Sequence, residues 1–287
     1  MLKYKKCESG KAVQSKEKGS TMKTIYRLLT QLSSRRSISY LAGRLAKSRW
    51  SKRWIPHFIK VYRINVEEAE KRPEEYPHLN AFFTRRLKEG VRPIHPDPDT
   101  VVSPVDALVT GIGEIREGTI LNVKGQRYTL AEMLQDAERE KSYRNGHYLV
   151  LYLSPTDYHR IHAPISGEII HTCSIKGKVY PVNRFGMRHM KRVLSRNQRL
   201  ITYLQNEYTE VAIVKVGAMN VASIQWSDRL QSKRVEKGDE LAYFEFGSTV
   251  VLLIKEESFQ FIHGLAEGDR VKMGEPVGRM VKYRARQ

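Results

Sequence analysis

Two apolar runs meet at Gly247-Ser248 in the stretch Tyr243-Phe-Glu-Phe-Gly-Ser-Thr-Val-Val-Leu-Leu-Ile254. Runs of this composition read as strands, and a turn residue with a small polar residue is out of place between them. Glycine permits a positive φ and lets another group approach the backbone closely. Ser248 sets a hydroxyl beside the Gly247 carbonyl, a geometry suited to intramolecular attack of Oγ on that carbonyl. A Gly-Ser step by itself is more often a turn or a bulge. Its meaning depends on what else the chain supplies.

The β-like segments lie at 101–113, 118–129, 147–154, 166–175, 210–225, 240–246 and 249–255, with helical insertions at 130–140 and 185–196. Residues 63–90 read as helix broken near Pro73 and Pro77, with Phe82 and Phe83 turned inward and Arg85 and Arg86 outward. Around Gly268-Asp269 and Gly274-Glu275 short apolar segments alternate with turns, a pattern that resembles biotinyl and lipoyl carrier domains. The fold expected is α+β: a mainly antiparallel β sandwich or barrel-like body with amphipathic amino-terminal helices.

Charge is unevenly spread. Residues 1–60 hold 16 Lys and Arg against two acids, a net of +14 out of +19, so the other 227 residues carry only +5. Such a bias implies an anionic partner, either lipid headgroups or nucleic acid. Residues 1–21 read as a basic, disordered extension. In 22–62, Ile25, Leu28, Leu29 and Leu32 follow helical spacing, and Trp50, Trp54 and Phe58 continue at four-residue steps among many basic residues. Basic amphipathic helices with tryptophan lie in the headgroup layer, although the same apolar faces could pack on the body. No run approaches the ~18 apolar residues that span a bilayer, and no secretory leader is recognisable. Cys7 and Cys173 form neither a disulfide framework nor a metal spacing, which fits a reducing compartment.

Two upstream segments supply chemistry. Ser103-Pro-Val-Asp106 offers a carboxylate, and Tyr158-His159-Arg160-Ile161-His162 offers two imidazoles three residues apart. With Ser248 they form an Asp, His, Ser set in that order, the groups that activate a hydroxyl. Taken singly, Asp106 is a turn or cap residue, the histidines are a candidate metal pair without a third ligand, and Ser248 is a bulge serine. No metal site is expected.

Together these segments resemble the phosphatidylserine decarboxylases, over most of residues 60–280. The resemblance rests on Leu79-Asn-Ala-Phe-Phe-Thr-Arg-Arg-Leu87 with Arg92-Pro93, on Ser103-Pro-Val-Asp106, on Tyr158-His-Arg-Ile-His162, on Val216-Gly-Ala-Met-Asn220 and on Phe246-Gly-Ser-Thr249. Ala107 stands where the family has Gly, Phe246 where it has Leu, and Gln198 where it has Glu, so Gln198 is given no catalytic role.

The resemblance implies a catalytic domain over 63–287, self-cleaved between Gly247 and Ser248 into a β chain, 1–247, and an α chain, 248–287. It implies a pyruvoyl group derived from Ser248, formed by serinolysis, and conversion of phosphatidylserine to phosphatidylethanolamine and CO2 through a Schiff base. His162 would be the base on Ser248, Asp106 would orient it, and His159 would handle substrate. The implied partners are phosphatidylserine and an anionic membrane surface at the cytoplasmic face of the cell membrane, held peripherally. No nucleic acid is expected, and there is room for a homo-oligomer. Three other readings compete. A serine hydrolase using Asp106, His162 and Ser248 lacks the Gly-x-Ser-x-Gly elbow. A carrier domain needs an exposed hairpin lysine, and Lys272 stands beside the turn. A nucleic-acid binder would show a recognised motif with the charge.

Overall fold

Strand burial explains why so much of this chain is continuously apolar. The computed structural model describes residues 43–121, 126–180, 182, 190–217, 224–245, 248–255 and 259–280. The expected 1–21 extension, the 22–42 part of the amphipathic segment, Phe246 and Gly247, residues 185–189 and the tail of the Val216–Asn220 motif lie outside them.

In chain order the named elements begin with a 3-10 turn at Arg49–Trp54, helix α1 at Ile55–Tyr62 and helix α2 at Leu79–Phe83. Strands β1 (Thr100–Val102), β2 (Ala107–Glu114), β3 (Thr119–Leu121) and β4 (Arg127–Thr129) follow, then helices α3 (Leu130–Leu134) and α4 (Ala137–Tyr143). Next come β5 (His147–Leu153), β6 (Arg160–His162), β7 (Gly167–Ile175), helix α5 (Val193–Arg196), β8 (Arg199–Gln205) and β9 (Glu210–Gly217). The last strands are β10 (Ile224–Trp226), β11 (Arg234–Val235), β12 (Glu240–Phe244), β13 (Ser248–Ile254), β14 (Phe259–Phe261), β15 (Arg270–Val271) and β16 (Pro276–Met280).

The body is an eight-stranded antiparallel sheet in the order β11-β7-β8-β9-β13-β5-β2-β15. Smaller sheets β1-β16-β14 and β10-β12-β6 supply Val101, Val277, Phe259, Ile161 and Leu241 to the core on one of its faces. On the other face, α3, α4, α5 and the β3–β4 hairpin supply Met133, Tyr143, Leu194 and Ile120. Because side chains alternate across a strand, Val250, Leu252 and Ile254 enter the first core while Val251 and Leu253 enter the second. Both faces of β13 are thus dry, and its sequence shows no alternation. The α+β class with a sheet-rich, antiparallel body is as expected.

Helix content differs from expectation between 63 and 90. Arg63 ends α1 in the left-handed region at φ 51°, Pro73 opens a three-residue 3-10 turn, and only α2 is α-helical. Each proline fixes φ and removes a donor, so a continuous helix cannot form there. Phe82 and Phe83 are buried as expected, but Arg85 is buried with them and only 4% exposed. The stripe Trp50, Trp54, Phe58 is also divided. A 3-10 turn advances three residues per turn, so four-residue steps do not stay on one face there. Phe58 packs at 6.5 Å from Phe82 and 6.1 Å from Phe83, while Trp50 and Trp54 remain 73% and 63% exposed.

Lys215, on β9, is fully buried and donates to Thr202 Oγ1 at 2.6 Å. Burial pushes its ammonium down from 10.5 to about 7. The unfolded chain therefore holds a proton that the folded chain loses between those values, and stability should rise with pH across that window. Lys215→Met keeps the volume and removes the charge. It is expected to raise the denaturation midpoint most near pH ~7 and progressively less toward pH ~10. A midpoint difference independent of pH would mean that Lys215 carries no such burden.

Candidate active site

Ser248 opens β13 opposite Leu153 of β5 on one side and Gly217 of β9 on the other. Seven consecutive register pairs on each side fix the strand, so the position of the serine is set by the ladder and not by a loop. Pleat parity puts Ser248 on the face of Val250 and Leu252. The residue is 0% exposed, and its Oγ has no hydrogen-bond partner among the described residues. A buried hydroxyl left unbonded costs roughly 1–3 kcal/mol. Formation of a pyruvoyl group here removes Oγ, turns Cβ into a methyl and Cα into the ketone carbon, and would break no side-chain hydrogen bond among the described residues, so the position fits that group. Gly247, its intended partner in cleavage, lies outside the described residues.

The two imidazoles are held in the same way. His159 bonds through Nδ1 to the Asp157 carbonyl at 2.8 Å, and His162 through Nδ1 to the Gly238 carbonyl at 2.7 Å. A carbonyl only accepts, so Nδ1 carries the proton in each ring and Nε2 carries the lone pair. On His162 that lone pair faces the Tyr158 hydroxyl at 3.1 Å; on His159 Nε2 is buried without a partner among the described residues. Gly238 is required for this arrangement. It sits at φ +94°, and a Cβ there would come within 2.7 Å of Ile94.

Burial makes both rings neutral. It is the largest influence on His159, which it pushes from 6.5 down to about 3, and the Arg85 charge acts in the same direction. Burial also pushes His162 below its ordinary value, against the raising pull of the Gly238 carbonyl and of the Glu240 and Asp106 charges. Neutral imidazoles are the form a general base needs.

Asp106 does not reach the imidazole directly. Its Oδ2 accepts from Arg92 Nη2 at 2.6 Å, its Oδ1 accepts from the Met273 amide at 2.8 Å, and Arg92 also holds Glu68 at 2.7 Å. The expected Asp106–His162 hydrogen bond is absent among the described residues because Gly238 has taken Nδ1. The two segments are nonetheless neighbours, since the His162 amide donates to the Pro104 carbonyl at 2.9 Å. Asp106 therefore acts on His162 through its charge.

Two side chains at this site carried no mark in the sequence. Glu240, paired in register with His162, accepts from Ser227 Oγ at 2.6 Å and binds Arg160 and Arg86. Burial alone would raise its carboxyl, but Ser227 and the two guanidiniums together hold it below the usual range. Arg160 is thus engaged structurally, with Nε also on the Thr84 carbonyl at 2.9 Å. Tyr158 stood within a motif but was given no role of its own, and its hydroxyl meets His162 Nε2 at 3.1 Å. Burial raises its hydroxyl pKa, which keeps it a donor.

Ser248 is thus desolvated on a strand, and neither histidine hydrogen-bonds to it among the described residues, since its Oγ has no partner and His162 Nε2 faces Tyr158. The comparisons with known proteins specify the family. A family model described as phosphatidylserine decarboxylase matches residues 79–279. Curated relatives named phosphatidylserine decarboxylase proenzyme include one from Bacillus mycoides, 42% identical over 91% of this chain and 99% of its own length. Others are from Anoxybacillus flavithermus, 42% identical over 93% of this chain and 100% of its own length, and Geobacillus, 44% identical over 90% and 98%. The chain belongs to the phosphatidylserine decarboxylase family and is a decarboxylase.

The pKa of His159 has a measurable consequence. Below about 6.5 the unfolded chain takes up a proton at this ring that the folded chain refuses until about 3, so folding stability should fall as pH drops through that window. His159→Gln removes the difference. The variant is expected to lose less thermal stability than the wild type between pH ~7 and ~5. Equal losses would place the charge burden elsewhere.

Proposed function

We propose that the chain is a proenzyme that cuts itself between Gly247 and Ser248 and then converts phosphatidylserine to phosphatidylethanolamine and CO2. The observation that carries this reading is the Ser248 hydroxyl, buried, unpartnered and next in sequence to Gly247. Ser248 Oγ adds to the Gly247 carbonyl carbon and the peptide C–N bond breaks, which leaves an ester and a free amine. Removal of the Ser248 α-proton then expels the Gly247 carboxylate. The dehydroalanine end tautomerises, and water displaces ammonia to leave a pyruvoyl group. The relatives' description as proenzymes supports this sequence.

His162 would take the hydroxyl proton at Nε2, which requires Tyr158 to yield that lone pair. Asp106, through its negative charge, stabilises the resulting imidazolium. Once formed, the pyruvoyl carbonyl supplies the electron sink that amino-acid side chains lack. His159, neutral and with Nε2 free of partners among the described residues, would take a proton from the substrate ammonium as the Schiff base forms and return it to the substrate α-carbon after CO2 leaves. A conventional serine hydrolase is less well supported, because its nucleophile must meet an external acyl group and Ser248 is 0% exposed.

The amino-terminal elements support peripheral attachment to an anionic membrane, at the cytoplasmic face. Trp50 and Trp54 stand in solvent among the exposed Arg49, Lys52, Arg53 and Lys60, and Arg53 stacks 4.3 Å from the Trp50 ring. Among the described residues no helix is long and apolar enough to cross a membrane.

Wild-type protein is expected to run on denaturing gels as a large fragment and a 40-residue fragment with a blocked amino end. Ser248→Ala and His162→Ala should stay uncut, and His159→Ala should be cut but turn over lipid poorly. Active protein found only as the intact chain would refute self-cleavage.

Replacement of Trp50 and Trp54 by serine should leave processing intact and abolish flotation with anionic vesicles. Each basic residue near a charged surface contributes on the order of 1 kcal/mol, so salt should weaken wild-type binding. Binding indifferent to both changes would mean that the lipid surface is met elsewhere.

A further inference from the structure

Of the three buried arginines, two are fully engaged. Arg160 binds Glu240 and the Thr84 carbonyl, and Arg199 donates to the carbonyls of Met133, Ser195, Asn197 and Glu132. Arg85 differs. It is 4% exposed, yet its one hydrogen bond runs from Nη2 to the Thr156 carbonyl at 3.3 Å. Its Nε and Nη1 have no partner, and no carboxylate pairs with it among the described residues. A buried charge without a counter-ion is costly, and Arg85 lies just past the end of α2. The chain turns it inward over the Phe82 ring, 5.3 Å from the centroid. The neighbouring Phe83 packs 4.0 Å from the His159 ring, and the Arg85 charge acts on that imidazole.

Unmet guanidinium donors thus lie within electrostatic reach of His159, whose Nε2 also has no partner among the described residues. We propose that Arg85 is a substrate-binding residue that receives the phosphodiester of the lipid headgroup, an inference that rests on the decarboxylase reading above. The guanidinium donors suit an oxyanion, and the substrate brings two, a carboxylate and a phosphodiester. A fixed cation on the carboxylate would stabilise the reactant more than a transition state in which that charge is dispersing, and so would slow the reaction. The phosphodiester keeps its charge from substrate to product. A guanidinium can hold it throughout without opposing loss of CO2, and arginine suits phosphate geometry.

The test uses self-processed Arg85→Gln and Arg85→Lys enzymes, with binding of short-chain phosphatidylethanolamine measured by calorimetry. This lipid keeps the phosphodiester and lacks the carboxylate. Arg85→Gln is expected to bind it roughly 10- to 100-fold more weakly, with Arg85→Lys in between and KM for short-chain phosphatidylserine raised in step. Unchanged phosphatidylethanolamine affinity with a raised KM would assign Arg85 to the carboxylate; no change in either would make it structural. Both results overturn the proposal. If neither variant is processed, wild-type enzyme decides by competition. Glycerophosphoethanolamine should inhibit well and free serine poorly, and the reverse order overturns the proposal. Failure of wild-type protein to process or decarboxylate would instead sink the underlying reading.

Discussion

The ladder around β13 is the constraint on which the site depends. A hydroxyl with no hydrogen bond in a dry interior would ordinarily turn, recruit water or drag its backbone toward a partner. Ser248 is denied these because seven register pairs to β5 and seven to β9 hold the strand on both sides. Its side chain must face the core shared with Val250 and Leu252. The free energy lost at one hydroxyl is recovered along the apolar length of the strand, whose remaining residues are buried. Reactivity is stored where the fold can most easily bear it. The described cavity of about 830 Å3 lies elsewhere, lined by Glu114, His147 and Phe261. His147 faces Ile254, at the opposite end of β13 and about 20 Å from Ser248 at strand rise.

Electrostatics follows from the same dryness. Every carboxylate near the histidines is already claimed: Asp106 by Arg92, Glu240 by Arg160 and Arg86, Asp157 by Ser154 and Arg270. Each imidazole is left with a carbonyl on Nδ1, which selects the tautomer without supplying negative charge. The rings therefore stay neutral despite nearby acids. Arg85 stands outside this pairing, and unlike Arg199, whose donors are met by carbonyls, it keeps two unmet nitrogens among the described residues, while its charge reinforces the neutrality of His159. The charge that the lipid headgroup brings would thus enter a site whose internal account of acids and bases is otherwise closed.

Much of this was legible in the chain. Strand periodicity located β5, β7, β12 and β13 to within a residue or two, because each is bounded by Gly, Pro or polar turns. The serine and the histidines stood out as a set. What stayed hidden depended on contacts distant in sequence. Arg92 and Asp106 are 14 residues apart and meet only because β1 and β2 frame a turn between them, and Gly238 reaches His162 across 76 residues. Glu240 was given no role, because its partners Ser227, Arg160 and Arg86 are 13, 80 and 154 residues away. Arg85 was misread because α2 was taken for part of a longer helix, and helical phase then pointed its side chain outward. The helix ends at Phe83, with Thr84 already outside helical geometry, so helical phase does not carry on to Arg85. The division of the Trp50–Phe58 stripe has a similar origin, a 3-10 turn where α-helix had been assumed.

That shortened segment also ties the exterior to the site. Ile55, Ile64, Tyr76 and Phe82 form a small core of their own, with Phe58 packed against it. Trp50 and Trp54 hang from one side of this unit, and Phe83 touches His159 from the other. Two aromatic contacts, Phe58 to Phe83 and Phe83 to His159, separate α1 from the imidazole. A membrane held by the tryptophans would therefore bear on the same rigid piece that carries Arg85. A headgroup leaving the interface would need no long channel, since the residue proposed to grip its phosphodiester is three positions along the chain from Phe82, in the middle of that core. Aromatic packing joins the surface that carries Trp50 and Trp54 to the Arg85 corner, so displacement of either should be felt by the other.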